Sequence, residues 1–518
     1  MKDLTSSAYT FENLIAGGYL YVDKTGYLWE LMRPTQGIYF LSRPRRFGKS
    51  LTISTLKAAF QGKRQLFEGL ALYDKPFDWK EYPVIHLDLG SCGAVSAAAL
   101  ELHLFETLGA CAAGFGLKLT RSDVSGKFTE LVEALAKRDK VVILVDEYDK
   151  PIIDNLLRPE AESIREVMAG FYSVIKTTNA CQRFVLLTGV SKFSKVSVFS
   201  SLNNLVDISM DGRFATMLGY TQQELEANFA DRLDAAAQSQ GMSLDKLLAR
   251  LREWYNGYRF EENAPTVYNP VSIAKFFESG GKFNNYWFET GTPGFLVKLV
   301  KEQRFDFELE LATPVTSLAF SSFELNQLSA MPLLYQTGYL TIKNVVDNDE
   351  DDVFYQLGFP NREVEAAFES YLVTGYAGVA AERVEVHAAA LAAALKAGDV
   401  DAFMERLKVF FANVPYDIQL KDEKYYQTIF YLVFHLLGFR AAAEVRTNKG
   451  RIDATVETAG RVFVFEFKLD GTAAEALAQI RAKDYHQKFL ASGKELTLVG
   501  AAFDSSARNL GEWQVERA

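Results

Sequence analysis

Two hydrophobic periodicities divide this chain. From Gly37 to about Asp211, short continuous apolar runs alternate with segments whose apolar residues recur at helical spacing. The runs are "GIYFLS", "YPVIHLDLG", "KVVILVDEYD" and "RFVLLTGVS"; the helical segments are "KSLTISTLKAAF", "KFTELVEALAKRD" and "ESIREVMAGFYSVIKTT". Strands apolar on both faces, joined by amphipathic helices, predict a parallel sheet covered on both sides. From about Arg213 the period becomes mainly helical, as in "TQQELEANFADRLDAAAQ" and "SLDKLLARLREWYNGYRF", interrupted by "GYLTIKNVVDNDEDDVFYQLGF", which reads as two strands joined by an acidic turn. The run "DNDEDD" lacks the glycine and the distal glutamate of a calcium loop, so a solvated hairpin tip is expected. From Lys421 the pattern changes again: an apolar helix, "EKYYQTIFYLVFHLLGF", then three strands, a helix "AAEALAQIRAKDYHQKFL" and a closing strand "LTLVGAAF". The expected organisation is an α/β domain over 1–215, a mainly helical region with a β-hairpin over 216–420, and a second α/β domain over 421–518.

Composition narrows the functional classes. At 518 residues, 48% of them apolar, the chain is too long for one core and rich enough to build several. A net charge of −10 argues against generic electrostatic adhesion to nucleic acid or to an anionic membrane, though a local basic groove is compatible with it. Residues 421–518 hold 14 Lys+Arg against 13 Asp+Glu, which makes this the less acidic part, though hardly basic. Cys92, Cys111 and Cys181 are widely spaced, so neither a disulfide framework nor a cysteine zinc site is expected. The N-terminus has no apolar signal core, and no window approaches the ~20 apolar residues of a membrane span. A cytoplasmic protein with no membrane association is expected.

The stretch "LSRPRRFGKSLT" ends like a phosphate-binding loop, but Arg43 occupies the position where G-x-x-x-x-G-K-[ST] opens with glycine. Its context is right: an apolar strand before it and a helix after it, whose N-terminus would face an anion. Gly48 permits the close turn, Lys49 supplies charge at the β/γ-phosphates, Ser50 a hydroxyl for Mg²⁺, and Arg45 and Arg46 further positive charge. About a hundred residues on, "VVILVDEYD" ends in Asp146, placed to support Mg²⁺, and Glu147, placed to polarise the attacking water. The next strand delivers Thr188, Ser191 and Lys192 to the same edge, where Ser191 is the candidate contact to the γ-phosphate.

These motifs, with "YVDKT", "SLNNL", "WYNGYRF", "YNPVSI" and "YWFETGTP", closely resemble the prokaryotic AAA-ATPase-like proteins that carry a PD-(D/E)XK nuclease-superfamily domain at the C-terminus. The resemblance spans nearly the whole chain and includes the form "RPRRFGKS", so Arg43-Pro44 is the family's own loop. It implies a P-loop ATPase sheet, ATP as ligand, and a restriction-endonuclease-like C-terminal domain.

The C-terminal residues support that implication. "RIDATVETAGRVFVFEFKLD" carries Asp453, then Glu466 and Lys468 one hairpin later. Alternation puts Glu466 and Lys468 on one face of an otherwise apolar strand. With Asp453 alongside, the two carboxylates can hold a divalent ion, and the lysine can stabilise charge developing on a phosphodiester. In the superfamily, Glu423 at the start of the first helix and Gln479 on the second also correspond to site residues. Glu444 is a rival third acid, and Arg440, Arg446, Lys449 and Arg451 are candidates to track a phosphate backbone. His435 reads as a core histidine. The expectation is an ATP- and Mg²⁺-dependent enzyme with a nuclease using Mg²⁺ or Mn²⁺, acting on DNA in preference to RNA, with homo-oligomerisation compatible. The alternatives are a nucleotide-switched signalling or scaffold protein whose nuclease fold only binds, and an ATPase acting on protein partners.

Overall fold

The computed structural model describes residues 2–5, 10–192, 198–199, 202–287, 294–303, 305, 307–321, 328–347, 353–378, 380–413, 429–430, 432–437, 444–447, 452–483, 487–490 and 493–517. The chain forms two compact units: residues 1–291 with 309–364, and residues 292–308 with 365–518.

The first unit opens with α1 (Phe11–Ala16) and α2 (Thr25–Met32). A repeating succession follows: β1 (Gly37–Ser42), α3 (Lys49–Phe60), β2 (Val84–Asp88), α4 (Ala97–Gly114), α5 (Val124–Ala136), β3 (Val141–Asp146), α6 (Lys150–Ile153), α7 (Ala161–Thr177), β4 (Gln182–Gly189) and β5 (Val206–Asp207). The sheet order is β2-β3-β4-β1-β5, and every pair is parallel. All six residues of β3 and all but one of the eight in β4 are buried, which is why these strands read as unbroken apolar runs. Because the strands are parallel, their carboxyl ends gather on one edge, where a doubly covered sheet binds its ligands.

Still in this unit are α8 (Gln222–Ser239), α9 (Leu244–Tyr255) and α10 (Pro270–Glu278). Thr221 and Glu224 cap α8 reciprocally, and Asn269 caps α10 ahead of Pro270. These helices share an apolar core centred on Leu225, Phe229, Leu251, Tyr255, Ile273 and Phe276. Helix α11 (Gly294–Glu302) belongs to the second unit and α12 (Phe307–Ala312) crosses the boundary; back in the first unit, α13 (Leu318–Ser321) and α14 (Ala330–Thr337) precede the expected antiparallel hairpin, β6 (Thr341–Asp347) with β7 (Val353–Gly358). Its acidic tip beyond Asp347 lies outside the described residues.

The second unit contains α15 (Arg362–Ala377) from Glu365 on, α16 (Ala381–Ala397), α17 (Val400–Ala412) and α18 (429–430 and 432–437). Then come β8 (Glu444–Thr447), β9 (Ile452–Glu457), β10 (Arg461–Leu469), α19 (Ala473–Ala482), α20 (Gln487–Leu490), β11 (Glu495–Asp504) and β12 (Asn509–Arg517). The sheet order is β12-β11-β10-β9-β8, with β10–β11 parallel and the other pairs antiparallel. Strand β12 lies beyond the closing strand expected from the sequence. Only Leu510 in it is buried, so it is a polar edge strand without an apolar signature, held to β11 and tied to α17 by Trp513 Nε1 donating to Asp401 (2.9 Å). No helix among the described residues is long and apolar enough to cross a membrane.

Candidate functional sites

The loop between β1 and α3 is held from below. Arg43 is 1% exposed, and its guanidinium donates to the carbonyls of Ser42 (2.9 Å), Ser209 (2.6 Å) and Phe214 (3.3 Å) while stacking 4.1 Å over the Phe260 ring. Burial pulls its pKa down to about 10, still high enough to keep it charged at neutral pH. Phe47 inserts edge-on against Tyr258 and Phe260. An arginine where other phosphate loops carry glycine therefore anchors the loop to the segment "WYNGYRF". Gly48 then turns the chain into α3 at φ +92, the left-handed region that disfavours a side chain.

Lys49 is buried at the first position of α3, with Nζ donating to the carbonyls of Arg43 and Pro44, both at 2.9 Å. Burial lowers its pKa, while Asp146, Glu147 and Asp149 pull it up. Ser50 is exposed at the helix start, and Arg45 is exposed on the loop. Arg46, in left-handed backbone at φ 65, turns its guanidinium to the Tyr286 carbonyl (2.6 Å). Nearby Glu363 accepts from Ser272 (2.8 Å) and the Trp287 N–H (2.8 Å), and burial pushes its carboxyl up to about 7.

Asp146 ends β3, 3% exposed, and accepts from the Thr188 hydroxyl of the adjacent β4 (2.7 Å) and from the Glu147 N–H (3.1 Å). Glu147 itself has φ 53, and burial raises its carboxyl pKa, opposed first by Lys49. Ser191, expected at the γ-phosphate, is fully buried, and both its N–H and its hydroxyl donate to Asp149 at 2.6 Å. Lys192 pairs with Asp207 (2.5 Å). Asp149, third acid of "DEYD", was not singled out from the sequence. It ties the ends of β3 and β4 together, and burial raises its pKa against the Ser191 hydrogen bonds. The signal available was its place three residues after Asp146, one turn into the segment that follows the strand.

In the second unit, the alternation along β10 is carried out in full. Phe465 and Phe467 pack on α17 and α18, with Phe467 4.6 Å from Phe430 and Phe465 5.2 Å from Phe434. Val462 and Val464 face the other way, into a core with Ile480 of α19. Glu466 continues that second face, 1% exposed, with Lys468 Nζ 3.3 Å from its Oε1. Gln479 on α19 joins both, accepting from Lys468 and donating to the same Glu466 oxygen. The register places Asp453 of β9 directly opposite Glu466. What brings α19 so close is Gly500 of β11, the register partner of Glu466. A Cβ there would lie 2.7 Å from the Leu477 nitrogen and nearer still to the Ala473 carbonyl oxygen.

Glu423, Arg440, Lys449 and Arg451 lie outside the described residues, as do the side chains of Asp453, Glu444 and Arg446. His435 pairs with Glu369 through Nδ1 at 3.3 Å.

Residues 7–199 match the family model described as predicted AAA-ATPase, and residues 421–513 match that of the PD-(D/E)XK nuclease superfamily. Over 529 positions the chain is 40% identical to a protein of Azotobacter chroococcum mcd 1 named "Uncharacterized protein in vnfD 5'region", covering 99% of each.

Proposed function

Because the chain belongs to the family of predicted AAA-ATPases with a C-terminal PD-(D/E)XK nuclease-superfamily domain, we propose that it hydrolyses ATP and couples nucleotide state to metal-dependent cleavage of nucleic acid, DNA in preference to RNA. The observation that carries this reading is the cluster of Glu466, Lys468 and Gln479. A carboxylate, an ammonium and an amide converge at the end of an apolar strand, opposite a second acid in register. A strand selected only for packing gains nothing by burying Glu466, since desolvating a carboxylate is costly.

At the first site, incoming β/γ-phosphates compete with two loop carbonyls for the Lys49 ammonium, and the N–H groups at the start of α3 face the same anion. Ser50 and Asp146 would hold Mg²⁺; a hydroxyl and a carboxylate suit a hard cation. Glu147 accepts the proton of the attacking water. Its raised pKa brings it nearer the operating pH, where a general base works best. Arg45 is the exposed loop cation available to the phosphates.

At the second site, Asp453 and Glu466 would hold a divalent ion, Mg²⁺ or Mn²⁺. Such an ion supplies an activated water and neutralises charge on the leaving oxygen. Lys468 donates to the phosphoryl oxygen as its charge grows. Gln479 is a positioning residue, holding Lys468 and Glu466 in one geometry. Glu423 belongs to this proposal through the family pattern alone.

The test is the purified full chain with Mg²⁺ or Mn²⁺ and labelled single- and double-stranded DNA and RNA, with and without ATP. Cation-dependent DNA cleavage whose rate responds to ATP is expected. Tight binding of nucleic acid with no cleavage under any nucleotide condition would point instead to a nucleotide-switched binding protein.

A further inference from the structure

We propose that Glu365, Glu369 and His435 form a second metal site, for a first-row divalent transition ion with Zn²⁺ foremost, separate from the nuclease centre. Their ligand atoms all lie within 4.8 Å of one another. Glu365 and Glu369 are four residues apart on α15, so one turn places both carboxylates on the same face, the spacing by which a helix offers two ligands to one ion. The third group, His435, comes from α18.

The distances fit an ion. Around a tetrahedral Zn²⁺ with bonds of about 2.0–2.2 Å, ligand atoms stand roughly 3.3–3.5 Å apart. His435 Nδ1 and Glu369 Oε1 stand at 3.3 Å. A plain imidazolium–carboxylate pair would give the same distance, so a second observation decides. Glu369 is 3% exposed, and its other oxygen, Oε2, is buried with no hydrogen-bond partner among the described residues. A buried carboxylate oxygen without a donor is costly, and an ion pair through Oε1 leaves it so. A cation held by that carboxylate satisfies it. Burial pushes the Glu369 carboxyl up, and His435 supplies the opposing pull. The other two ligands are only partly buried, which leaves a route for the ion and room for water to complete its shell.

The mixed set of two carboxylates and one imidazole suits zinc or manganese better than an all-oxygen magnesium site. It is also distinct from the cleavage site. Helix α18 packs on the Phe465 and Phe467 face of the sheet, whereas Glu466, Lys468 and Gln479 occupy the opposite face.

The experiment uses full-length chain carrying Glu466→Ala, which disables the nuclease centre, titrated with ZnCl₂ by calorimetry and followed by thermal melting. One ion per chain should bind, with a melting rise of several degrees in one transition. Adding Glu369→Gln should weaken that binding by at least about tenfold and remove the rise. Glu365→Gln, at a partly exposed position, should also weaken binding without threatening the fold. Zinc binding unchanged by Glu369→Gln, or no zinc-dependent shift in the Glu466→Ala chain, would overturn the proposal and leave a buried Glu369–His435 ion pair.

Discussion

Replacing Gly500 by alanine tests the arrangement of the C-terminal site from outside it. The added methyl would sit 2.7 Å from Leu477 N and 2.8 Å from Leu477 Cγ, and closer to the Ala473 carbonyl oxygen, where ordinary contacts begin at 3.4 Å. Two of the obstacles are backbone, so no side chain can swing away; α19 must retreat from the sheet by about 0.7 Å or more. Overpacking of this kind destabilises by about 1–3 kcal/mol, a fraction of the 5–15 kcal/mol typical of folded domains, so the unit should stay folded. For a unit of this size each kcal/mol lowers Tm by about 2–4 °C, which gives a fall of roughly 2–12 °C. Gln479 rides on the displaced helix. A misplacement near 1 Å is enough to cost about 10²-fold in rate, so cleavage should fall by roughly that factor. Calorimetry reads the first effect, and a labelled-DNA cleavage assay the second. ATP hydrolysis, measured in the same samples, should stay near the parent value. A Gly500→Ala chain with parental Tm and parental cleavage would refute the claim that this glycine sets the helix-to-sheet distance.

Three further outcomes are expected. Lys49→Ala should abolish or greatly weaken ATP binding, measured with a fluorescent nucleotide, since it removes the buried cation aimed at the β/γ-phosphates; parental affinity would end the phosphate-loop assignment. Glu147→Gln should bind ATP but turn it over slowly. Because burial raises the Glu147 pKa, wild-type turnover should fall with decreasing pH at values above the usual glutamate range, as the base becomes protonated, and that acid limb should be missing from the variant's residual rate. Asp453→Ala and Glu466→Ala should each abolish cleavage and weaken metal binding while sparing ATP hydrolysis. Lys468→Ala should keep the metal and lose about 10²–10³ in rate, as for loss of one donor to a developing anion; equal metal affinity across all three variants would contradict the division of roles.

The parallel sheet was legible because strands such as Val141–Asp146 are buried on both faces, and burial of both faces writes itself as an unbroken apolar run. The pairing of Glu466 with Lys468 was legible because strand side chains alternate. Other features have no local signature. Arg43 shows in the sequence only as a departure from the glycine that opens other phosphate loops; that it is a buried anchor is hidden because its partners Ser209 and Phe214 lie more than 160 residues downstream. Ser191 reads as a phosphate contact, yet its hydroxyl faces Asp149, whose position depends on the turn after β3. Strand β12 was missed because an exposed edge strand needs no hydrophobic period, only a neighbour with free backbone groups.

The anchoring of Arg43 also bears on how such a module is inherited. The predicted AAA-ATPase match ends at residue 199. Of the three carbonyls that receive the Arg43 guanidinium, only that of Ser42 lies within it; those of Ser209 and Phe214, and the rings of Tyr258 and Phe260 against which Phe47 rests, lie beyond. Recombination that joined a new partner at residue 199 would carry over the loop, its lysine and both strand-end acids, yet leave Arg43 with one of its three carbonyls and Phe47 without the rings of Tyr258 and Phe260. A segment exchanged between lineages with these supports of the loop intact would therefore reach at least to Phe260.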